Sequence, residues 1–386
     1  MNHADRAHAL LSASGAHRWM NCTPSAVLES KFPDTTSEAA KEGTLAHELA
    51  EAKLQNYVNT KEFSKRKLTN RIKKLKENEL WQNEMDGFTD DYMDFIRREA
   101  LRFEATPYVA IEEKLDLETY VPGGFGTADC IMIGGGTIEI IDFKYGKGVP
   151  VAAEENPQLM LYALGAHEKY NFLYGFSEVR LSIVQPRIGN NSTWTLSLDD
   201  LLAFGEKVKA AAAIAAEGGG EFHPGDWCRF CRAKAQCRAR AEENVKLAFQ
   251  TERKPELLTN DEIGRFLDQG EDVAKWLKDL QEYALAQCLG GKEVAGWKAV
   301  EGRGTRDWVD MDKAFEIIIA SGTPQEMLWE KKPLTLAQVE KVVGKKEFAA
   351  EVGDYVVKKP GKPTLVRESD KRPAITNKIS ADEVFN

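Results

Sequence analysis

Three short apolar segments between residues 108 and 147 constrain the fold of this chain more than any other feature. They read YVAIEEKLDL, GTADCIMIG and GTIEIIDFKYGK, and glycine-containing turns separate them. Runs of this length that are rich in β-branched residues predict strands, and their close spacing predicts a meander. Two aspartates, Asp129 and Asp142, lie inside these strands, where an unpaired carboxylate is costly unless it binds a cation or a partner.

Helical patterns flank the three strands. TSEAAKEGTLAHELAEAKLQNYV predicts a helix that begins near Ser37 or Gly43, and NPQLMLYALGAHEKY predicts another helix after the third strand. FSEVRLSIVQPRI then predicts a further strand, and SLDDLLAFGEKVKAAAAIAAEGGG a helix that glycines end. This order predicts an α/β fold with a mixed central sheet flanked by helices.

The length of 386 residues exceeds that of a typical single domain. We expect a core with the cysteine cluster over residues 1–245 and a mainly helical region over residues 246–386. The last segment, VVKKPGKPTLVRESDKRPAI, predicts an extended basic tail. No run approaches the roughly 18–20 apolar residues of a membrane span, and the N-terminus lacks the apolar core of a signal peptide. We therefore expect a cytoplasmic protein without a membrane partner.

Three of the six cysteines form the pattern C-x2-C-x5-C in WCRFCRAKAQCRAR, at Cys228, Cys231 and Cys237. Cytosolic thiols are normally kept reduced, so clustered cysteines indicate metal binding or catalysis rather than disulfides. Structural sites usually have four ligands. The pattern therefore predicts a metal or cluster site whose fourth ligand lies elsewhere in the chain.

Four polar patterns follow one another on the predicted elements. They are Gly43-x3-His47 on the first helix, Gly126-x2-Asp129 on the second strand, Asp142-x-Lys144 on the third strand and Gln158-x3-Tyr162 on the next helix. Each alone is typical of exposed charge, a surface histidine, a turn cap or an ordinary helix surface. Together, two carboxylates and an imidazole suit Mg²⁺ or Mn²⁺, and a lysine beside them suits a phosphate. The set predicts phosphodiester hydrolysis.

In this order the motifs GxxxH, GxxD, DxK and QxxxY resemble the RecB-like branch of the PD-(D/E)XK nuclease superfamily, over roughly residues 8 to 240. The resemblance implies a restriction-endonuclease-like core in which His47, Asp129, Asp142 and the Phe143 carbonyl bind metal. Lys144 would be the catalytic lysine, acting with Asp129 and Asp142, while Gln158 and Tyr162 align the substrate. Glu112 or Glu113 would add an outer carboxylate.

An iron–sulfur subgroup of that superfamily includes AddB-type helicase–nucleases and certain CRISPR-adaptation nucleases. Its members carry one cysteine before the nuclease core and three after it, spaced as here. The resemblance therefore implies that Cys22 joins Cys228, Cys231 and Cys237 in holding a [4Fe–4S] cluster with a structural role. Four thiolates suit tetrahedral zinc equally well, and a zinc site could recruit His223 instead of Cys22.

The whole chain resembles stand-alone nucleases encoded by phages or prophages. This implies a metal-dependent DNA exonuclease of the host cytoplasm, active in phage recombination or replication beside a single-strand-binding or annealing protein. Two alternatives stay open: a catalytically inactive nucleic-acid-binding scaffold and a zinc-stabilised structural protein.

Basic residues cluster despite a net charge of −9, with eight lysines or arginines in the sixteen residues from Lys61 to Lys76. This run is either a solvated helix face or a rim that contacts DNA phosphates. Arginines beside the cysteines could also contact the DNA backbone; they are Arg229, Arg232, Arg238 and Arg240.

Overall fold

A computed structural model describes residues 9–33, 37–249, 259–300, 310–321, 324–329, 335–352 and 355–356. By its internal contacts the chain divides into two compact units, Met1–Ala299 and Val300–Asn386, whereas the sequence placed the end of the core after residue 245. Most of the tail predicted from Val356 onward lies outside the described residues. Within the described part of the chain, no helix combines the length and apolar character needed to cross a bilayer.

A five-stranded mixed sheet forms the centre of the larger unit, in the order β1-β2-β3-β4-β5. The strands are β1 Tyr108–Asp116, β2 Phe125–Gly134, β3 Thr137–Phe143, β4 Glu178–Gln185 and β5 Asn190–Ser197. The meander β1-β2-β3 is antiparallel, as predicted, β4 runs parallel to β3, and β5 is antiparallel to β4. A parallel pair needs a long crossover, and the helix predicted after the third strand lies in this connection.

Helices cover both faces of this sheet, which confirms the predicted α/β class. Those of the larger unit are α1 Ala16–Asn21, α2 Ser25–Glu29, α3 Glu38–Val58, α4 Lys65–Leu75, α5 Glu84–Ala100, α6 Pro157–Tyr170, α7 Leu198–Ala216, α8 Arg238–Phe249 and α9 Asn260–Leu289. The smaller unit contains α10 Met311–Ala320, α11 Leu336–Val343 and α12 Lys345–Val352.

Side-chain caps fix where several helices begin. Ser37 accepts a hydrogen bond from the Ala40 N–H and starts α3, as the sequence indicated. Asn156 accepts from the second and third residues of α6, with Pro157 at the first helical position. Because these caps set the start of α3 and α6, they also set the positions of the polar motifs on both helices.

Two hydrophobic clusters lie on opposite faces of the sheet. Ile138 and Ile140 of β3 belong to the cluster that contains residues of α6 and α7. Ile141 and Phe143 belong to the other cluster, which contains residues of α3, α4 and α5. This alternation is that of a strand buried on both faces. Asp142 lies at the end of such a strand and is only 3% exposed.

Strand β5 was missing from the sequence-based prediction. Its residues NNSTWTLS alternate between half-buried and exposed positions, and Leu196 is the buried exception. The strand pairs with β4 alone at the edge of the sheet, so it needs few apolar residues. The polar composition of an edge strand explains why hydrophobic patterning did not reveal it.

A buried carboxylate lies on β3 away from the motifs described above. Glu139 is fully buried, accepts a hydrogen bond of 2.9 Å from Ser182 Oγ and lies 3.3 Å from Arg180 Nη1. Burial, together with the charge of Glu99, raises the pKa of Glu139 from 4.5 to about 7 despite these two partners.

This raised pKa predicts a pH-dependent stability. The folded state holds the Glu139 proton more tightly than the unfolded state, so ionisation destabilises the fold as the pH rises through the window from 4.5 to about 7. The free energy of unfolding of Glu139→Gln minus that of wild type should therefore rise by about 3 kcal/mol from pH 4.5 to pH 8. Urea denaturation at both pH values measures this change.

The control for this prediction is Glu178→Gln, which alters a half-exposed carboxylate that contacts the same Arg180 at 3.1 Å. Because this carboxylate stays in contact with water in the folded protein, the variant tests whether the effect at Glu139 depends on burial rather than on the loss of a charge beside Arg180. A pH-independent difference for Glu139→Gln would contradict the account of the buried carboxylate.

Candidate active site and cysteine cluster

The polar motifs meet where the β2–β3 ladder ends. The last regular pair at this end is Cys130 with Ile141, and the next position would pair Asp129 with Asp142. There the backbone N–H of Phe143 donates to Asp129 Oδ2 at 2.8 Å. A side chain thus takes the place of a backbone acceptor. This arrangement brings the carboxylates of the GxxD and DxK motifs to one end of the hairpin.

Helix α3 brings His47 to the same place. Its Nδ1 lies 3.3 Å from Asp129 Oδ1, so the two oxygens of Asp129 face different partners. The His47 ring also contacts the Phe143 ring, with 5.2 Å between their centroids. These contacts hold the imidazole over the strand ends.

Glu112 completes a group of three possible metal ligands. It lies on β1 between the pairs Ile111–Cys130 and Glu113–Ala128, and its φ of 50° is left-handed. A non-glycine residue in this conformation costs about 1–3 kcal/mol. One donor atom each from His47, Glu112 and Asp129 lies within 4.8 Å of the others. The strained backbone thus coincides with a carboxylate placed at the site.

The structure distinguishes between the two glutamates that the sequence offered. Glu113, the neighbour of Glu112, forms an ion pair with Lys169 instead. Glu112 is therefore the β1 carboxylate that joins His47 and Asp129.

Lys144, Asp142 and Gln158 form a second group beside the first. Lys144 Nζ lies 2.9 Å from Asp142 Oδ2 and donates to Gln158 Oε1 at 3.0 Å. Gln158 Nε2 donates to Asp142 Oδ1 at 3.3 Å and to the Tyr162 hydroxyl at 3.1 Å. The DxK and QxxxY motifs therefore form one hydrogen-bonded network, in which the side-chain amide of Gln158 contacts both Lys144 and Asp142.

Burial and charge shift the pKa values of His47, Asp129, Asp142 and Lys144. Burial would lower the pKa of His47, but Asp129 and Glu112 raise it to about 9. Burial would raise the pKa of Asp129, yet His47 and the Phe143 N–H hold it below its usual range. For Asp142 burial prevails and raises the pKa although Lys144 opposes it, while Asp142 raises the pKa of Lys144 against the effect of burial.

A small cavity next to these groups suits a divalent cation. It is lined by His47, Ala50, Glu51, Leu54, Tyr92, Glu112, Asp129 and Phe143. The hydroxyl of Tyr92 is buried and has no hydrogen-bond partner among the described residues. Two carboxylates and an imidazole are ligands that Mg²⁺ and Mn²⁺ accept. The donor set therefore fits the expected ion.

The group of possible metal ligands differs from the implied ligand set in its third member. Asp142 is absent from the group of three within 4.8 Å, where Glu112 appears, and its Oδ2 pairs with Lys144 at 2.9 Å. Phe143 lines the cavity, with its N–H bound to Asp129. The ligand roles of Asp142 and of the Phe143 carbonyl stay predictions.

All four predicted cluster cysteines line one cavity, although Cys22 precedes the others by about 200 residues. Cys22 caps the C-terminus of α1, Cys228 lies in the 3-10 turn Asp226–Phe230, and Cys231 and Cys237 follow it. His223 lines the same cavity.

Contacts outside the cysteines join the two segments of this site. Glu29 on α2 is buried; Arg18 Nη2 lies 2.6 Å from its Oε2, and the Arg232 N–H donates to its Oε1 at 2.6 Å. Thr23 Oγ1 donates to the Gly219 carbonyl at 2.7 Å. The fold itself thus brings the N-terminal segment to the later cysteines.

Hydrogen-bond donors surround the thiols. Burial raises the pKa of Cys22, and the backbone N–H groups of His223 and Ser25 oppose this shift. Ser25 Oγ is buried and has no hydrogen-bond partner among the described residues. The Gly225 N–H donates to Cys228 Sγ at 3.5 Å. Donors aimed at sulfur suit thiolates that bind a metal or an iron–sulfur cluster, so the residues fit the implied group.

For Arg240 alone, the structure corrects the expectation that the arginines around the cysteines contact DNA; Arg229, Arg232 and Arg238 are exposed. It is only 7% exposed, and its Nη1 lies 2.6 Å from Asp279 Oδ2 on α9. Lys234 Nζ lies 2.8 Å from the other oxygen of Asp279. Arg240 therefore helps to fix α9 beside the cysteine segment and is unavailable to a nucleic acid.

Sequence reasoning missed several residues of the two sites. Tyr92 and Glu51 line the metal cavity, and Ser25 and Glu29 support the cysteines. Glu51 follows His47 by one helical turn, a spacing that could have indicated it. Tyr92, Ser25 and Glu29 gave no such signal, because their roles depend on contacts with distant parts of the chain.

Comparisons with known proteins give one family and a weak structural likeness. A solved structure described as "Crystal structure of SSO0001" is 13% identical, with a TM-score of 0.23, over 50% of this chain and 85% of that chain. The family model described as "Protein of unknown function (DUF2800)" matches residues 8–373. With nearly its whole length matched, the chain belongs to the DUF2800 family.

Proposed function

We propose that this chain is a Mg²⁺- or Mn²⁺-dependent deoxyribonuclease that hydrolyses phosphodiester bonds. The main support for this proposal is that a group of possible metal ligands and a buried lysine network lie together at one end of the sheet. His47, Glu112 and Asp129 form a possible metal site, and Lys144 lies close by with Asp142 and Gln158. An ion site beside a fixed ammonium group suits a reaction in which negative charge grows on a phosphate.

Each group has a distinct part in the proposal. A bound divalent ion supplies Lewis acidity and lowers the pKa of water. His47, Glu112 and Asp129 hold the ion. Lys144, fixed by Asp142 and Gln158, presents its ammonium group to a phosphate oxygen, and Tyr162 braces the amide of Gln158. A fixed ammonium needs little rearrangement during the reaction, which is what preorganised electrostatic stabilisation requires.

The exonuclease mode and the biological setting rest on the motif order. The succession GxxxH, GxxD, DxK and QxxxY resembles RecB-like nucleases, and the cysteine pattern resembles their iron–sulfur subgroup. On this basis we propose a role in phage DNA recombination or replication, beside a single-strand-binding or annealing protein.

We also propose that Cys22, Cys228, Cys231 and Cys237 hold a [4Fe–4S] cluster, with zinc as the alternative. Four cysteines that line one cavity suit either group. The C-x2-C-x5-C spacing with one upstream cysteine, which resembles the iron–sulfur subgroup, favours the cluster.

The metal site predicts a selective effect of one glutamate. Glu112→Gln should weaken Mn²⁺ binding by about 10- to 100-fold, because it removes a charged ligand and keeps its shape. Electron paramagnetic resonance of free Mn²⁺ during a titration measures the affinity. Glu113→Gln is the matched control, since Glu113 pairs with Lys169. Equal Mn²⁺ affinities in the Glu112 variant and wild type would contradict the site.

The catalytic proposal predicts the loss of DNA cleavage in one lysine variant. Lys144→Met should lower the cleavage rate of end-labelled DNA by about 10²- to 10³-fold, because the charge that stabilises the transition state is lost. Lys147→Met changes an exposed lysine three residues away and should cleave like wild type. If wild type fails to cleave DNA with either metal, the inactive-scaffold alternative replaces the nuclease.

The cluster proposal predicts a coloured protein. Anaerobically purified wild type should contain iron and absorb near about 400 nm, as thiolate-bound iron does. Cys22→Ser should lose this absorbance, whereas Cys288→Ser, on α9 outside the cavity, should keep it. A colourless wild type with bound zinc would correct the cofactor to zinc.

A further inference from the structure

Helix α4, Lys65–Leu75, has a charge composition that does not stabilise a helix. Seven lysines or arginines and no acidic residue occur from Lys65 to Lys76, in a chain whose net charge is −9. Solvated helices usually relieve such charge with acidic residues three or four positions away. The helix therefore carries a cluster of cations that no acidic residue within it balances.

One face of α4 is attached to the helix that carries His47. Leu75 is buried in the same hydrophobic cluster as Leu45 and Leu49 of α3. Arg71 Nη2 lies 2.8 Å from Glu48 Oε2, and Glu48 is the residue after His47. These contacts fix α4 against the segment of α3 that forms the candidate active site.

The other face of α4 is exposed and cationic. Its exposed basic residues are Lys65, Arg66, Lys67, Lys73, Lys74 and Lys76. Among the described residues, no carboxylate pairs with Lys65, Arg66, Lys73 or Lys74, whereas Lys67 donates to the Glu62 carbonyl and Lys76 lies over the Trp81 ring. This face therefore offers several cations to a ligand at once.

The cations in the first turn of α4 oppose helix formation. Lys65, Arg66 and Lys67 occupy the first turn, which has no acidic residue, and Ser64 makes no side-chain capping bond. Cations at a helix N-terminus oppose the helix dipole. A bound polyanion would remove this repulsion.

We propose that the exposed face of α4 binds the phosphates of the nucleic-acid strand that enters the His47 site. This rests on the proposed function, because it makes that strand the substrate. From Lys65 to Lys76 the chain rises about 16 Å, which corresponds to about five base-pair steps along the axis of a DNA duplex. The remaining exposed residues, Thr69 and Asn70, offer no apolar anchor of the kind that protein partners use. The chemistry favours a phosphate backbone over an acidic protein.

The test neutralises four of these cations together. Lys65→Gln, Arg66→Gln, Lys73→Gln and Lys74→Gln form one variant. Lys207→Gln, Lys246→Gln, Lys275→Gln and Lys278→Gln form a control with the same change of charge, at exposed lysines of α7, α8 and α9. Fluorescence anisotropy with labelled single-stranded and duplex DNA in EDTA measures affinity without cleavage. Circular dichroism checks that each variant is folded.

We expect the α4 variant to bind DNA about 10²- to 10³-fold more weakly than wild type at 0.1 M salt. Its plot of log affinity against log salt should be less steep by about 3, because about four phosphate contacts are lost. The control should bind nearly like wild type. The single-stranded and duplex probes show which form supplies the phosphates.

Three outcomes would overturn the proposal. They are unchanged affinity of the α4 variant, equal weakening of the control, and no binding of either DNA form by wild type. The last outcome would favour an acidic protein as the partner.

A cleavage assay distinguishes failure of this proposal from failure of the proposed nuclease activity. A wild type that cuts DNA while the α4 variant binds normally would remove only the surface. Weaker binding by the variant, with no cleavage by wild type, would remove only the nuclease.

Discussion

The candidate active site depends on one hydrogen bond, from the backbone N–H of Phe143 to Asp129 Oδ2 at 2.8 Å. It forms where the β2–β3 ladder ends, so the carboxylate of one strand fixes the end of the next. The residues on either side of Phe143 are Asp142 and Lys144. The other oxygen of Asp129 faces His47 at 3.3 Å. A single side chain thus aligns the DxK motif with the helix that carries the imidazole.

Each charged residue of the candidate site depends on an oppositely charged neighbour. Asp129 is stabilised by His47, and Lys144 by Asp142, while burial raises the pKa of Asp142. Removing one member of such a buried pair leaves an uncompensated charge, which costs about 3–5 kcal/mol. The left-handed φ of Glu112 adds strain at the same place. Strain and buried charge together are typical of sites kept for chemistry rather than for stability.

Hydrophobic patterning predicted the meander, the helices beside it and the mixed sheet. The order of the motifs predicted that His47, Asp129, Asp142 and Lys144 would converge, and the structure brings them to one end of the sheet. A strand or helix pattern is local, so it can be recognised without the fold.

The residues that the sequence did not identify depend on long-range contacts. The choice of Glu112 over Glu113 follows from a backbone conformation that no composition reveals. The burial of Arg240 follows from an ion pair with Asp279, 39 residues away. Cys22 was assigned by resemblance, and the supporting role of Glu29 appears only once α2 meets the Arg232 N–H.

We propose that DNA is cut at the ion site that His47, Glu112 and Asp129 form. The most direct test measures two curves on wild-type protein: Mn²⁺ bound per chain, and the initial rate of cleavage of end-labelled DNA, over the same Mn²⁺ concentrations. The account predicts that the rate rises with the occupancy of this site and that EDTA abolishes it. Full occupancy without cleavage, or cleavage at full rate with the site empty, would contradict it.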